Sequence, residues 1–148
     1  MLLVDRNLYI PTINAYIDPH YPVDKAIITH AHADHAKPNH KSVLATEDTI
    51  NIMKLRYGEN CAQNFQIINY GERIYIDGIY LSLYPAGHIL GSSQVLLEKN
   101  GYKVLITGDY KTISDKTAQS FELVKTNTLI TEATFGLPVF KHPNPLKE

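Results

Sequence analysis

The stretch Ala26-Ile27-Ile28-Thr29-His30-Ala31-His32-Ala33-Asp34-His35 passes from a β-branched run directly into three imidazoles and a carboxylate. Neutral imidazole nitrogen and anionic oxygen are ligands that borderline-soft divalent ions accept, with zinc the commonest fit. Alternate residues of extended chain point the same way, so His30 and His32, following a strand over Ala26 to Thr29, can grip one ion together. Asp34 and His35 are adjacent and diverge from that pair, which suits them to a neighbouring ion. The cluster therefore reads as a site for two metals.

Two later segments end apolar runs on a glycine that frees the backbone to turn: Tyr84-Pro85-Ala86-Gly87-His88 and Ile106-Thr107-Gly108-Asp109-Tyr110. His88 would complete the first site, and Asp109 has the charge and geometry to bridge both ions. Asp18, in Ile17-Asp18-Pro19-His20, ends another apolar run and is placed to orient a ligand histidine and fix its tautomer, the alternative being a plain turn aspartate before proline. His20, His40 and His142 have no such placement and read as surface or loop residues. The single cysteine, Cys61, excludes an internal disulfide and reads as structural.

Working outward, short β-branched and aromatic runs dominate: Leu8 to Ile10, Ala15 to Ile17, Ser42 to Ala45, Phe65 to Ile68, Arg73 to Ile76, Ile79 to Tyr84, Gln94 to Glu98 and Lys103 to Thr107. Asp77-Gly78 and Asn100-Gly101 tolerate positive φ and predict tight hairpins, hence antiparallel pairing and a local meander. One helix is predicted over Glu47 to Tyr57: Thr46 caps it, Glu47 and Asp48 complement its dipole, and Gly58 stops it. Its stripe of Ile50, Met53 and Tyr57 reads as core.

At 148 residues and 44% apolar content, the expectation is one domain burying roughly two-thirds of its unfolded surface. No run approaches the ~20 apolar residues of a membrane span, and Met1-Leu2-Leu3-Val4-Asp5-Arg6 lacks the basic-then-apolar order of a signal peptide, so a cytoplasmic protein is expected. With 14 basic and 15 acidic side chains the formal net charge is −1, which gives no support to a phosphate-binding surface of the usual basic kind. Two bound divalent ions would add four positive charges in one pocket, so an anionic substrate is allowed. The tail from Lys141 to Glu148, with two prolines and little to pack, reads as an extended connector.

The order Asp18, His30-x-His32-x-Asp34-His35, His88, Asp109 resembles the metallo-β-lactamase fold superfamily over nearly the whole chain. Ala86-Gly87-His88-Ile89-Leu90-Gly91-Ser92-Ser93 and Thr131-Glu132-Ala133-Thr134-Phe135-Gly136 are similar to its nucleic-acid-processing β-CASP branch, with Glu132 as that branch's first acidic motif. Ile17-Asp18-Pro19, Gly108-Asp109-Tyr110-Lys111-Thr112 and Phe135-Gly136-Leu137-Pro138 look like bacterial exonucleases associated with DNA ligase and a helicase, close to the nucleases that process messenger-RNA 3′ ends. The resemblance implies an α/β fold, a four-layer αββα sandwich of mostly antiparallel or mixed sheets with metals at one edge. It further implies that residues 1–140 form an incomplete metallo-β-lactamase-like domain and that residues 141–148 lead toward a β-CASP domain. In that family a histidine late in the sandwich completes the second metal site and one in the inserted domain helps protonate the leaving group, and neither has a counterpart here.

The activity so implied is a metal-dependent phosphodiesterase acting on DNA ends or RNA through hydroxide activated by two zinc ions, with manganese or iron as substitutes. Asp34 and Glu132 are its catalytic candidates, His30, His32, Asp34, His35, His88 and Asp109 its metal ligands, and Lys111 a possible phosphate contact. Two alternatives differ in class. One is an ester or thioester hydrolase of the same superfamily, against which the Glu132 motif argues. The other is a catalytically incomplete subunit, whose uncovered faces would pair with a complementary chain or with a second copy.

Overall fold

The computed structural model describes residues 3–4, 7–114, 116–137 and 139; the tail, with His142, lies outside them. Two mixed β-sheets pack face to face, and one helix covers the far side of the first. The first sheet runs in the order β1 (Leu3–Val4), β2 (Leu8–Ile10), β3 (Ala15–Ile17), β4 (Lys25–Ile27), β5 (His40–Ala45) and β6 (Ala62–Ile67). The second runs in the order β11 (Thr128–Ile130), β10 (Tyr102–Ile106), β9 (Ser93–Lys99), β8 (Ile79–Pro85) and β7 (Arg73–Ile76).

Side-chain alternation explains the layers. Ile17, Ile27 and Leu44 point into the shared core, where they meet Leu81, Leu83, Val95, Leu97 and Ile106 of the second sheet. Their neighbours Ala26, Ile28, Val43 and Ala45 point the other way, onto Ile50 and Met53 of helix α1 (Glu47–Tyr57) and onto Cys61. Each fully buried branched aliphatic contributes roughly 1.5–3 kcal/mol. The helix begins where Thr46 accepts from the Thr49 amide at 3.3 Å and ends at Gly58. No helix among the described residues covers the second sheet's outer face, and none is long and apolar enough to cross a membrane.

The hairpin signals hold: Asp77 (φ 43°) and Gly78 (φ 91°) join β7 to β8, and Asn100 (φ 51°) and Gly101 (φ 79°) join β9 to β10, both antiparallel. The meander does not extend to the first sheet, where β3, β4, β5 and β6 are all parallel neighbours. The segments between those strands cross over a sheet face instead of turning back, and parallel pairing is what a crossover produces. β10 and β11 are also parallel, and their crossover spans residues 107–127. It is pinned to the sheet where the Gln94 amide donates to the carbonyls of Pro85 (2.9 Å) and Glu122 (2.7 Å).

His40 corrects the sequence reading. It is buried within the first sheet, because the residue that opens β5 turns inward beside the Val23 amide, which donates to its Nδ1 at 3.2 Å. Burial lowers its pKa, and Nε2 makes no hydrogen bond. Since the unfolded chain protonates His40 near 6.5, stability from this residue is full above that pH and falls as pH drops toward the folded value. His40→Gln keeps an acceptor for Val23. Between pH 7.5 and 5.5 its loss of unfolding free energy in urea should be smaller than the wild type's by on the order of 1 kcal/mol. Equal losses would show that His40 is not a source of acid sensitivity.

Candidate metal centre

All of the expected ligands arise from loops at one edge of the two packed sheets. Asp18 follows β3 and the histidine cluster follows β4, and because those strands are parallel both segments emerge on the same side. His88 follows β8. Asp109 and Glu132 follow the parallel strands β10 and β11. Ligand sites at the carboxyl ends of strands are a general property of such sheets.

The amides of His35 and Ala36 both donate to the His32 carbonyl, at 3.1 and 2.8 Å, so the chain from 32 to 36 closes a single turn. That turn separates His35 from the pair His30 and His32. His30 Nε2 lies 3.1 Å from His32 Nδ1, and His88 Nε2 lies 3.2 Å from the same atom. Asp109 Oδ2 is 3.8 Å from His30 Nε2 and 3.7 Å from His88 Nε2. Ligand atoms about 2.1 Å from a shared tetrahedral ion sit roughly 3.4 Å from one another, so these four donors fit one zinc-like ion.

The other oxygen of Asp109, Oδ1, faces His35 Nε2 at 3.6 Å, and Asp34 Oδ2 approaches that nitrogen at 3.7 Å. The carboxylate of Asp109 thus spans the two sides of the site. Asp34 stands on the rim with its side chain 77% exposed and belongs to neither compact donor group. The second group instead comprises Asp18, His30 and His35.

Asp18 is largely committed to protein partners, with three of its roughly four lone-pair positions engaged. Its Oδ1 accepts from the Thr29 amide at 2.8 Å, and its Oδ2 accepts from the Thr29 hydroxyl at 2.6 Å and faces His35 Nδ1 at 2.8 Å. Having given its one proton to Asp18, the Thr29 hydroxyl is left as an acceptor for His30 Nδ1, 3.0 Å away. Asp18 therefore assigns two tautomers, His35 directly and His30 through Thr29, and in both rings turns the Nε2 lone pair inward. Thr29 was not singled out by sequence reasoning. The available signal was a hydroxyl residue immediately before the first histidine.

The electrostatics follow. Burial first, and then the neighbouring His35, His88 and His32, push the His30 pKa down to about 3, so its ring is neutral. Burial also lowers His88. For His35 burial pulls downward, but the hydrogen bond and charge of Asp18, with Asp109 and Asp34, outweigh it and hold the pKa above the ordinary value. Burial raises Glu132, yet the Thr134 hydroxyl and amide, the Tyr110 amide and His88 reverse the sign. Glu132 is thus an ionised carboxylate at neutral pH, accepting from the amides of Tyr110 (3.4 Å) and Thr134 (3.2 Å). Lys111 is exposed, one residue beyond Tyr110, its amide donating to the Ala86 carbonyl at 3.0 Å.

Further contacts hold the loops in place. The Arg56 guanidinium donates to the Ala31 carbonyl, and the Thr46 and Thr49 hydroxyls donate to the Gly91 carbonyl at 2.7 and 3.0 Å, tying the His88 loop to the start of α1. Ser92 Oγ accepts from the amides of His88 (3.0 Å) and Ile89 (3.2 Å). Gly87 and Gly108 are needed for their spaces. A Cβ on Gly87 would run into the Lys111 carbonyl, and one on Gly108 would lie 2.9 Å from the Thr29 hydroxyl. Both glycines have positive φ, 72° and 56°.

No family model matches the chain. It is 31% identical over 139 residues to a probable DNA ligase of Opitutus terrae, an alignment covering 93% of this chain and 14% of that one. It is 33% identical over 138 residues to an RNase J-like protein of Methanocaldococcus jannaschii, covering 79% of this chain and 33% of that one. It is 31% identical over 150 aligned residues to endoribonuclease YSH1 of Gibberella zeae, covering 78% and 18%. The chain thus spans from a seventh to a third of the length of these relatives.

Thr29→Val keeps the volume of this buried side chain and removes the hydroxyl, so the His30 ring loses the acceptor that fixes its tautomer. In a zinc titration by isothermal calorimetry the affinity of this variant should fall about 10- to 100-fold, while Thr29→Ser stays near wild type. If Thr29→Val binds zinc as tightly as the wild type, the hydroxyl does not set the His30 tautomer.

Proposed function

The chain belongs, along the stretch it shares with these relatives, to the β-CASP branch of the metallo-β-lactamase superfamily, and we propose that it is the metal-holding part of a two-zinc nuclease that hydrolyses phosphodiester bonds of DNA or RNA. The observation that supports this reading most is the convergence of His30, His32 and His88 on one point, with the two oxygens of Asp109 turned to either side. On this reading residues 1–140 are the amino-terminal portion of a four-layer αββα sandwich, residues 141–148 lead toward a β-CASP domain, and the location is cytoplasmic. Named nucleases among the relatives fit a nucleic-acid substrate, and one named a DNA ligase fits work beside a ligase, with or without a helicase, at DNA ends.

His30, His32, His88 and Asp109 would hold the first ion, and His35, Asp109 and Asp34 the second. Bound there, the ions would supply a nucleophile at neutral pH by acidifying water and would neutralise charge on the phosphoryl oxygens. The residues of the chain prepare for this. In the neutral rings Asp18 and Thr29 hold the proton on Nδ1 of His35 and His30, which leaves Nε2 to face an ion. Against burial, the carboxylate of Asp18 also raises the His35 pKa, so that a proton competes there with an ion. Lys111 stands at the outer rim as a contact for an incoming phosphate. Glu132, ionised and held by two backbone amides, cannot itself deliver a proton at neutral pH and serves to position the acid that does.

A second reading is that the chain holds metal without completing the catalytic centre, and what favours it is Asp34, which stands 77% exposed and outside both compact donor groups, so that the second ion would have few ligands. Zinc-loaded chain assayed on a 5′-labelled oligonucleotide and on a thioester separates these readings. We expect phosphodiester cleavage, lowered at least 100-fold by Asp109→Asn, which keeps the shape of the bridging side chain and removes its charge. Zinc binding without cleavage of either substrate would favour the incomplete centre. Thioester hydrolysis alone would overturn the nuclease.

A further inference from the structure

Between β6 and β7 the chain crosses from the first sheet to the second in a short turn, residues 68–72, that carries Tyr70. The turn is itself held. The main-chain and side-chain amides of Asn69 both donate to Glu72 Oε2, at 3.0 and 3.1 Å, and the Gly71 amide donates to the Leu83 carbonyl at 2.8 Å. From this base the Tyr70 ring lies half-buried against the shared core, and its hydroxyl donates to the Ser92 carbonyl at 2.8 Å. Burial, and then the charge of Asp48, push that hydroxyl's pKa up to about 12, so it keeps its proton and remains a donor.

The group it meets is a junction between two ligand-bearing segments. The carbonyl of Ser92 and the amide of Ser93 belong to one planar peptide unit, so fixing either end fixes the other. The carbonyl end accepts from Tyr70 and from the Ala86 amide at 3.1 Å, and the amide end donates to the Thr29 carbonyl at 2.8 Å. Thr29 immediately precedes His30, while Ser92 Oγ gathers the amides of His88 and Ile89. One peptide thus sets the spacing between the strand end that carries His30 and the turn that carries His88, two rings whose nitrogens must meet at the same point. Ala86 and Thr29 belong to those two segments; Tyr70 ties the peptide to the body of the fold.

We propose that Tyr70 is a positioning residue of the metal centre: its hydroxyl, through the Ser92–Ser93 peptide, holds the His88 turn at the distance from Thr29 at which His88 Nε2 joins His30 and His32 on one ion. The inference rests on the metal-holding part of the reading above and on no choice of substrate. Tyr70 touches neither ion nor substrate and acts only through His88. Removing its hydroxyl leaves the ring in the core and withdraws one of two donors from a buried carbonyl, which loosens the peptide without unpacking the fold.

The test is a titration of the full chain with cobalt(II), whose visible absorption reports ligand number and geometry, in the wild type, Tyr70→Phe, His88→Ala and the double variant. Tyr70→Phe should lower cobalt affinity about three- to tenfold and weaken the visible bands at saturation. Tyr9→Phe, which loses a hydroxyl bonded to Asn14 Oδ1 at 2.9 Å on the exposed surface, should change neither. In His88→Ala the further loss of the Tyr70 hydroxyl should leave affinity within about twofold, because the ligand it positions is gone. In the metal-free chain the His88 and Ile89 amides of Tyr70→Phe should exchange with solvent about three- to tenfold faster by NMR, with those in the middle of α1 unchanged. Cobalt affinity in Tyr70→Phe equal to the wild type's, an equal loss with and without His88, or unaltered exchange at His88 and Ile89 would each overturn the proposal. A wild-type chain that binds no cobalt defeats the metal-centre reading instead, and the exchange rates then decide whether Tyr70 holds the His88 turn.

Discussion

The carboxylate of Asp18 is the fixed point of this molecule. It sits just past β3 in a left-handed backbone conformation (φ 45°), one that aspartate tolerates better than most residues, and from there it reaches across to the neighbouring strand. One group thereby accepts the Thr29 amide and hydroxyl and the His35 ring. The consequence is unusual economy: two imidazoles in different parts of one loop receive their tautomers from a single charge. Without it the Thr29 hydroxyl would be free to donate to His30, and the lone pair of that ring would then point away from the cluster.

Such an arrangement opposes stability locally. Three imidazole nitrogens at 3.1–3.2 Å converge with few protons to share, and His30 is held neutral down to a pH of about 3. A cluster of lone pairs is costly to bury unless something positive joins it. The two-sheet core compensates: Ile17, Ile27, Val95 and Ile106 lie immediately beneath the loops and fix the strand ends from which the ligands project. Close approach does the rest, because the Gly87 and Gly108 positions let three loops touch where any side chain would force them apart.

How much of this was legible in the sequence depended on the range of the interaction. Local signals worked: the Thr46 cap, the Gly58 stop and both hairpin dipeptides gave α1 and the β7–β10 strands within a residue or two, because each is set by neighbours along the chain. β11 and the 3-10 turn at Pro11–Ile13 were not among the runs read from the sequence, whereas the equally short β2 and β3 were. Strand direction was invisible wherever a crossover rather than a turn made the link, which is why the parallel half of the first sheet differs from the expected meander. His40 shows the same limit. A histidine opening a strand does not announce which face it takes, and here tertiary packing put it inside.

At the site, residue types identified the chemistry, while distances between elements determined the roles. The pairing of His30 with His32 follows from spacing two in extended chain, but the outward position of Asp34 does not, because the turn closed by the His32 carbonyl swings the 33–35 segment away from the sheet edge. Asp109 takes the central place that composition alone would have shared equally among the carboxylates: it is the one whose two oxygens approach histidines on both sides of the site, at 3.6 to 3.8 Å. Glu132, carried next to it by the parallel pairing of β10 and β11, keeps its charge through amide hydrogen bonds rather than through an ion. Two carboxylates on adjacent strand ends thus acquire different work from their surroundings: one surrounded by imidazoles is suited to cations, the other held by backbone amides is suited to orienting a neighbour.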